Sequence, residues 1–160
     1  MNFKIKQSFN EQEKSETVVK IMRSLPDWFY MEETIIKYQE EVKNLPFFIA
    51  YNDNNEAVGM MCLIEFTTDD IQSVEIKVIG VLPEYHNYKI GYALIKKAEE
   101  FAKTKCKTYL TVKTLSARSP DVFYQKTRAF YYKCGFVGLM DFIEVWGKEN
   151  PCLVMIKPLD

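Results

Sequence analysis

The sequence predicts a single mixed α/β domain spanning residues 1–160. Segments with apolar residues at helical spacing alternate with short β-prone runs along the whole chain. No internal repeat, linker or low-complexity segment divides it, and 160 residues are typical of one domain. Hydrophobic residues make up 48% and charged residues 27%, which is a globular and not a disordered composition.

The first part of the chain has the pattern of a strand followed by two helices. Residues 3–7 alternate as in a short strand, and residues 11–23 place apolar side chains at the spacing of a helix with one buried side. Residues 25–29 include a proline and break this pattern. Residues 31–43 resume it, which predicts a second helix.

Three strands of an antiparallel meander are predicted next. Residues 47–51 and 57–66 are apolar and β-prone, and the polar turn 52–56 between them suits a hairpin. Residues 74–81 form the third strand, which Pro83 stops.

The clearest helix begins at Ile90, where apolar residues recur at helical spacing and charged residues take the opposite side. Residues 108–112 form the next strand. Because a helix separates this strand from residues 74–81, the two are expected to be parallel neighbours joined by a crossover.

The last predicted helix follows Ser119-Pro120-Asp121. Ser119 is the expected cap, Pro120 suits the first helical position, and the Asp121 carboxylate favours the positive end of a helix. Gly135 is the expected stop. Two more strand candidates follow, residues 136–140 and 153–157.

The charge balance argues against polyanionic partners. Lysine and arginine number 21 against 22 acidic residues, so the net charge of -1 gives no attraction to nucleic acid or an anionic membrane. No apolar run approaches the roughly 20 residues that span a bilayer, and the first residues do not resemble a signal peptide. We expect a cytoplasmic protein.

The cysteines do not suggest a metal site or a disulfide framework. They are scattered, with no Cys-x-x-Cys pair and one histidine, His86, in the chain. Reduced core thiols are the expected state, and a cysteine nucleophile paired with His86 is disfavoured. The four cysteines are Cys62, Cys106, Cys134 and Cys152.

Residues 81–94 run from the end of a predicted strand into the Ile90 helix. Such a turn presents free backbone N–H groups and a positive dipole end, which a pyrophosphate requires, and Gly91 lets an anion approach closely. Many helices that begin this way bind nothing, so the residues alone leave this alternative open.

Two segments carry a resemblance to a known family. His86, Lys89 and Gly91 resemble motif A of the GNAT superfamily of N-acetyltransferases, in which Gln or Arg is followed after two residues by Gly-x-Gly or Gly-x-Ala. His86 and Lys89 depart from that pattern. Residues 127–136, with Phe130-Tyr131 and Gly135-Phe136, resemble the family's motif B.

Residues 144–157 are similar to the C-terminal block of one bacterial branch of the family. Together with Val58-Gly59 and Pro26-Asp27-Trp28-Phe29, the resemblance covers nearly the whole chain. It implies a mixed, mostly antiparallel sheet with a central V-shaped splay, flanked by helices. It also implies acetyl-CoA as co-substrate, with backbone contacts from Ile79, Gly80 and Val81. The loop residues that it assigns to the cofactor are His86, Asn87, Tyr88, Lys89, Ile90, Gly91 and Tyr92.

The resemblance implies two catalytic groups. Tyr131 corresponds to the frequent general acid, since a phenol stays protonated at neutral pH and can donate to the departing thiolate. Glu75, on the strand that leads to the splay, is the candidate base for the acceptor amine, with Glu144 as a second choice. Core packing for Tyr131 and an exposed strand carboxylate for Glu75 are the alternatives.

Two further sets of residues have an open assignment. Trp28 and Phe29, followed by acidic residues, are candidates to bind the acceptor amine or to form a corner of the core. Lysines around the Ile90 helix would attract the CoA phosphates or simply face solvent. These lysines are Lys89, Lys96, Lys97, Lys103, Lys105 and Lys107.

The predicted function is acetyl transfer from acetyl-CoA to a primary amine by direct attack on the thioester. A non-catalytic acyl-CoA-binding module is the alternative, and a basic-helix nucleic-acid binder is disfavoured by the neutral charge. The acceptor amine and the oligomeric state are left open, with a homodimer among the options. No metal and no membrane or nucleic-acid partner is expected.

Overall fold

The computed structural model describes residues 1–160, and it contains seven strands and four α-helices. The N-terminal half is strand, two helices and a meander. In chain order its elements are β1 (Phe3–Ser8), α1 (Glu11–Arg23), α2 (Glu32–Glu41), β2 (Phe47–Asn52), β3 (Ala57–Glu65) and β4 (Ser73–Val81). The C-terminal half contains α3 (Ile90–Thr104), β5 (Tyr109–Leu115), α4 (Val122–Lys133), β6 (Val137–Phe142) and β7 (Cys152–Pro158).

The strands form one sheet in the order β1-β2-β3-β4-β5-β7-β6. Every neighbouring pair is antiparallel except β4 and β5, which are parallel and joined through α3. The predicted meander and crossover are therefore confirmed. No helix of the structure is long and apolar enough to cross a membrane.

The parallel pair β4–β5 is short and then opens. Its register runs from Ser73 opposite Tyr109 to Ile76 opposite Val112 and goes no further. Beyond that point β4 pairs only with β3, and β5 pairs only with β7. The two strands therefore diverge, which is the V-shaped splay that the family resemblance implied.

A β-bulge lies in β4 at the start of the splay. Cys62 and Leu63 are consecutive on β3, but their partners on β4 are Val78 and Ile76, so Lys77 is the extra residue. A bulge shifts the alternation of side chains by one position and increases the local twist. It therefore turns the residues before Lys77 to the face opposite the one that simple alternation predicts.

Helices cover both faces of the sheet. A Cβ added at Gly80 would lie 2.9 Å from Cγ2 of Ile21, so α1 packs closely on one face of β4. A Cβ added at Gly59 would lie 3.0 Å from Cγ2 of Ile90, so α3 packs on the other face. We call these the α1 face and the α3 face. The core between the layers contains 30 buried residues.

Several predicted boundaries need correction. Asp121, not Ser119, caps α4, because its carboxylate accepts hydrogen bonds from the N–H groups of Phe123 and Tyr124. Pro120 precedes the helix and does not occupy its first position. Strand β5 extends three residues beyond the predicted end at residue 112, to Leu115.

Candidate active site

A cleft of about 1290 Å³ opens where β4 and β5 diverge. Its walls come from the splayed strands, the loop between β4 and α3, and α4. The α1–α2 loop and α2 close its other end. Of the residues predicted to contact the cofactor, Ile79, Gly80, Val81, His86, Asn87, Lys89, Ile90, Gly91 and Tyr92 line the cleft. Tyr88 does not line it and is 49% exposed.

The loop before α3 offers a run of unused backbone donors. None of the N–H groups of residues 87–92 donates a backbone hydrogen bond, whereas the N–H of Ala93 begins the helical series by donating to the Lys89 carbonyl. Asn87 and Lys89 have left-handed backbone angles, with φ of 70° and 63°. Alternating backbone conformations of this kind turn successive N–H groups inward into an anion-binding nest.

His86 stabilises the turn from strand to loop. Its Nε2 lies 2.8 Å from the Val81 carbonyl oxygen, which fixes Nε2 as the donor in the neutral ring. His86 therefore contacts the end of β4 through its side chain.

Gly91 has a packing role in this structure. A Cβ added there would lie 3.2 Å from both Cε2 and Cζ of Phe130. The missing side chain therefore lets the Phe130 ring of α4 approach the first turn of α3. The Phe130 ring occupies the side of Gly91 where a side chain would lie. A phosphate is therefore predicted to approach the Gly91 N–H and not that side.

Tyr131 projects from α4 among aromatic rings and also lines the cleft. Its ring is 5.3 Å from that of Phe130 and 5.5 Å from that of Phe136, and 4% of the residue is exposed. Burial, followed by nearby Cys134 and tyrosines, raises the pKa of its hydroxyl well above the ordinary phenol value. The phenol therefore stays protonated at neutral pH, so Tyr131 is both a packed ring and an available donor.

Glu75 lines the cleft on the α1 face. Its partner Ile64 and the Gly80 partner Met60 are four residues apart on β3, so Glu75 and Gly80 share a face. Glu75 and Gly80 are an odd number of residues apart, so simple alternation would put them on opposite faces. The bulge at Lys77 shifts the alternation by one position and brings them to the same face. The Glu75 carboxylate is buried, and its Oε1 accepts a hydrogen bond of 2.7 Å from Lys113 Nζ.

Two more tyrosines line the α1-face end of the cleft. Burial, followed by the Glu41 charge, raises the pKa of Tyr38 to about 12. Burial, followed by the Asp121 charge, raises the pKa of Tyr124 to about 12. The sequence did not indicate that either tyrosine lines the cleft, because a tyrosine in a predicted helix is equally consistent with ordinary packing.

Trp28 and Phe29 both line the cleft, and their contact with the acceptor stays a prediction. Trp28 also has a structural role. Its Nε1 donates to Thr127 Oγ1 at 2.9 Å, and its carbonyl accepts a hydrogen bond from the Tyr124 hydroxyl at 3.2 Å. Trp28 therefore lines the cleft and also joins the α1–α2 loop to α4.

The lysines of the predicted cluster mostly lie away from the cleft. Among them only Lys89 lines it, whereas Lys96 and Lys97 form ion pairs with glutamates of α3. Glu144, the second candidate base, does not line the cleft either. The lysines that do line the cleft are Lys37, Lys77, Lys89, Lys113, Lys126 and Lys133.

The structure also describes possible metal ligands and the cysteines. The structure contains no group of three or more His, Cys, Asp or Glu side chains placed to hold a metal ion. All four cysteines are free, and burial raises the pKa of Cys134, which lines the cleft, so its thiol is a poor nucleophile.

The family model of the acetyltransferase (GNAT) family matches residues 15–136 of this chain. The chain belongs to the GNAT acetyltransferase family. The match covers β4, the loop before α3, and α4 through Phe136, so it includes the candidate site residues discussed above apart from Glu144. Membership implies acyl transfer from an acyl-CoA.

Solved structures agree in fold. A protein from Desulfovibrio desulfuricans described as an acetyltransferase of the GNAT family matches with a TM-score of 0.85 and 17% identity, over 99% of this chain and 100% of that chain. A GNAT acetyltransferase from Staphylococcus aureus Mu50 gives 0.75 and 18%, over 99% and 100%. The NatC complex bound to Gag peptide and CoA gives 0.74 and 16%, over 100% of both chains. No curated protein matches in sequence.

Proposed function

We propose that this GNAT protein transfers an acetyl group from acetyl-CoA to a primary amine, which attacks the thioester directly. The observation that carries the proposal is the end of β4–β5 pairing at Ile76 and Val112, which leaves both strand edges facing one cleft. An open strand edge can pair with the amides of an extended pantetheine chain. The acyl-CoA would supply the activated acyl group.

The anion-binding loop suits the pyrophosphate of CoA. The unused N–H groups of residues 87–92 and the N-terminus of α3 favour an anion without a side-chain ligand. Lys89 lies in the same loop and adds a cation. These features compensate for the departure of Lys89 from the family's glycine.

Backbone donors of Ile79, Gly80 and Val81 are proposed to meet the pantetheine and the acyl carbonyl. Donors aimed at the oxygen where charge develops are worth about 3 to 4 kcal/mol each in acyl transfer. The close packing of Gly80 on α1 fixes the position of this strand edge, because a larger residue would collide with Ile21.

Two side chains are proposed to move protons. The amine attacks the acyl carbon while it is neutral, and the C–S bond breaks as the C–N bond forms. Glu75 Oε2 makes no protein hydrogen bond and lines the cleft, which supports its proposed role as the acceptor of a proton from the amine. The Tyr131 hydroxyl donates its proton to the departing sulfur, and solvent restores both groups.

The test is thiol release from acetyl-CoA across pools of amines, run beside calorimetric CoA binding. Thiol release that depends on an amine supports the proposal. CoA binding without thiol release from any amine would leave a non-catalytic acyl-CoA-binding module instead. Absence of CoA binding would reject the cofactor assignment itself.

The cytoplasmic location, the bacterial branch and a homodimeric assembly stay predictions from the sequence. Light scattering of the purified chain tests the assembly directly. A single mass near 18.8 kDa would reject the dimer.

A further inference from the structure

We propose that the acceptor is an amine that carries a carboxylate close to its amino group, such as an α-amino acid or an acidic peptide. This inference rests on the proposed function and specifies the chemical class of the acceptor amine. The charges that line the α1-face end of the cleft support it.

The walls of the cleft carry more lysines than carboxylates, and Glu41, which does not line the cleft, pairs with Lys37 and Lys77. Six lysines line the cleft, and Glu75 is the one carboxylate among the lining residues. The chain has a net charge of -1, so this excess is local to the cleft. A site with such an excess attracts anionic ligands and repels cationic ones.

The phosphates of an acyl-CoA account for only part of this excess. Lys89 belongs to the anion-binding loop, but Lys77 and Lys113 lie on the opposite, α1 face. Lys77 contacts α2, where its Nζ is 2.7 Å from Glu41 Oε2 and 4.9 Å from the centre of the Tyr38 ring. Lys113 contacts Glu75, which shares that face with Gly80. The contacts of both lysines are with α2 and β4 and not with the loop that would hold the pyrophosphate.

Glu75 and Lys113 together present one negative and one positive group to the cleft. Oε1 of Glu75 is engaged by Lys113, while Oε2 has no protein partner and can accept from the acceptor's amine. Lys113 is 40% exposed and uses one of its three N–H groups on Glu75, so it can also donate to a carboxylate. An amine with a neighbouring carboxylate is complementary to this pair, because its amine can face Glu75 while its carboxylate faces Lys113.

A polyamine fits the same wall poorly. It carries several ammonium groups, whereas Glu75, the one carboxylate that lines the cleft, has a single free oxygen for one of them. Its remaining ammonium groups would have no lining carboxylate to pair with and would meet the lysines of the wall instead.

Matched pairs of acceptors test the proposal. Each common α-amino acid is compared with its α-amide, and the peptide Ala-Glu-amide is compared with Ala-Gln-amide, by thiol release at fixed acetyl-CoA. We expect the carboxylate form of at least one pair to have a KM about 10- to 100-fold lower, as for a hydrogen bond to a charged group. The first comparison tests free amino acids and the second tests acidic peptides.

Lys113→Gln connects the preference to the proposed residue. The variant should lose most of the carboxylate preference, measured as the ratio of the KM values for the acid and amide forms, because any effect through Glu75 acts on both forms. Lys4→Gln is the matched control, because Lys4 is an exposed lysine on the edge strand β1, away from the cleft. Lys113→Arg keeps the charge and should retain part of the preference.

The possible outcomes are distinct. Equal KM values for acids and amides, or faster transfer to polyamines, would overturn this inference and leave the acetyltransferase proposal intact. Absence of thiol release with every amine would overturn the proposed activity. Calorimetric binding of the acids and amides to the CoA complex then still tests the carboxylate preference, and equal affinities would reject it.

Discussion

The ammonium of Lys113 lies 2.7 Å from the carboxylate of Glu75, across the parallel strands β4 and β5. The two strands are still paired at Glu75 and Thr111, and they diverge just beyond. The ion pair therefore spans the point at which the sheet opens. It holds the candidate base at the inner end of the cleft and joins the strands that the cleft separates.

Glu75→Gln tests whether this carboxylate accepts the amine proton. We expect kcat to fall by about 10² to 10⁴, the usual contribution of a positioned base, with little change in acetyl-CoA affinity. The measurement is steady-state thiol release with a working amine as a function of pH. A loss that disappears at high pH, where the amine is already neutral, supports the base.

The amide of the Glu75→Gln variant retains an oxygen for Lys113, so the strands should stay joined. A wild-type kcat would move the base to a water chain. A large loss of thermal stability would indicate that the ion pair is mainly structural, and Lys113→Gln provides the comparison.

CoA and pantetheine should stabilise the protein to different extents. CoA at a hundred times its dissociation constant adds about 2.7 kcal/mol to the free energy of unfolding, which raises the melting temperature by about 5 to 10 °C. Pantetheine has no pyrophosphate and cannot use the N–H groups of residues 87–92. Equal shifts with both ligands in thermal melts would argue against the anion-binding loop.

Gly91→Val should weaken CoA binding. The new side chain would begin 3.2 Å from the Phe130 ring, which must then move, and Phe130 itself lines the cleft. We expect about a tenfold loss of CoA affinity by calorimetry, equivalent to about 1.4 kcal/mol. Gly91→Ala is the milder control, and unaltered affinity in a folded valine variant would place the cofactor elsewhere.

The sequence could predict the elements and the position of the loop before α3 because local patterns determine both. Helical spacing marks α3, and the strand-to-helix turn with its positive dipole end follows from the order of elements. The splay was available only through the family resemblance, since nothing in the local pattern of β4 or β5 shows where their pairing ends.

The α1-face end of the cleft was less accessible from sequence. Simple alternation along β4 would place Glu75 and Gly80 on opposite faces. The bulge at Lys77, which no sequence pattern indicates, places them on the same face. Lys113 lies one residue beyond the predicted end of β5, so its pairing with Glu75 was missed. The polar residue directly after the predicted parallel strand, Lys113, was the sequence signal that could have indicated this part of the cleft.

Glu99→Gln should destabilise the fold at neutral pH. Burial alone would raise the pKa of Glu99, but hydrogen bonds and charges from Lys157 and Lys96 outweigh it and hold the pKa below its usual value. Removing one partner of such a buried pair costs about 2 to 4 kcal/mol, somewhat less than for full burial. Chemical denaturation at pH 7 measures the loss.

The pH dependence of this effect has a defined sign. A carboxylate with a lowered folded pKa stabilises the protein above its unfolded pKa and loses that contribution as the pH falls through the folded value. The difference between wild type and Glu99→Gln should therefore be largest near neutral pH and shrink below about pH 4.5. Glu100→Gln, an exposed neighbour paired with Lys97, is the control and should change stability little.

Tyr131→Phe separates chemistry from packing. The substitution keeps the ring against Phe130 and Phe136 and removes only the hydroxyl, which makes no hydrogen bond in the protein. The melting temperature should therefore stay close to that of the wild type. If the hydroxyl protonates the thiolate, kcat should fall by about 10² to 10⁴ while acetyl-CoA affinity changes little.

The pH profile gives an independent test of Tyr131. Burial raises the pKa of its hydroxyl above the ordinary phenol value, so the protonated donor persists as the pH rises. The wild-type enzyme should therefore show no loss of kcat up to about pH 10, the reference value of a phenol. A decline near pH 8 would assign the acid to another group, and wild-type turnover of Tyr131→Phe would leave the thiolate to be protonated by solvent.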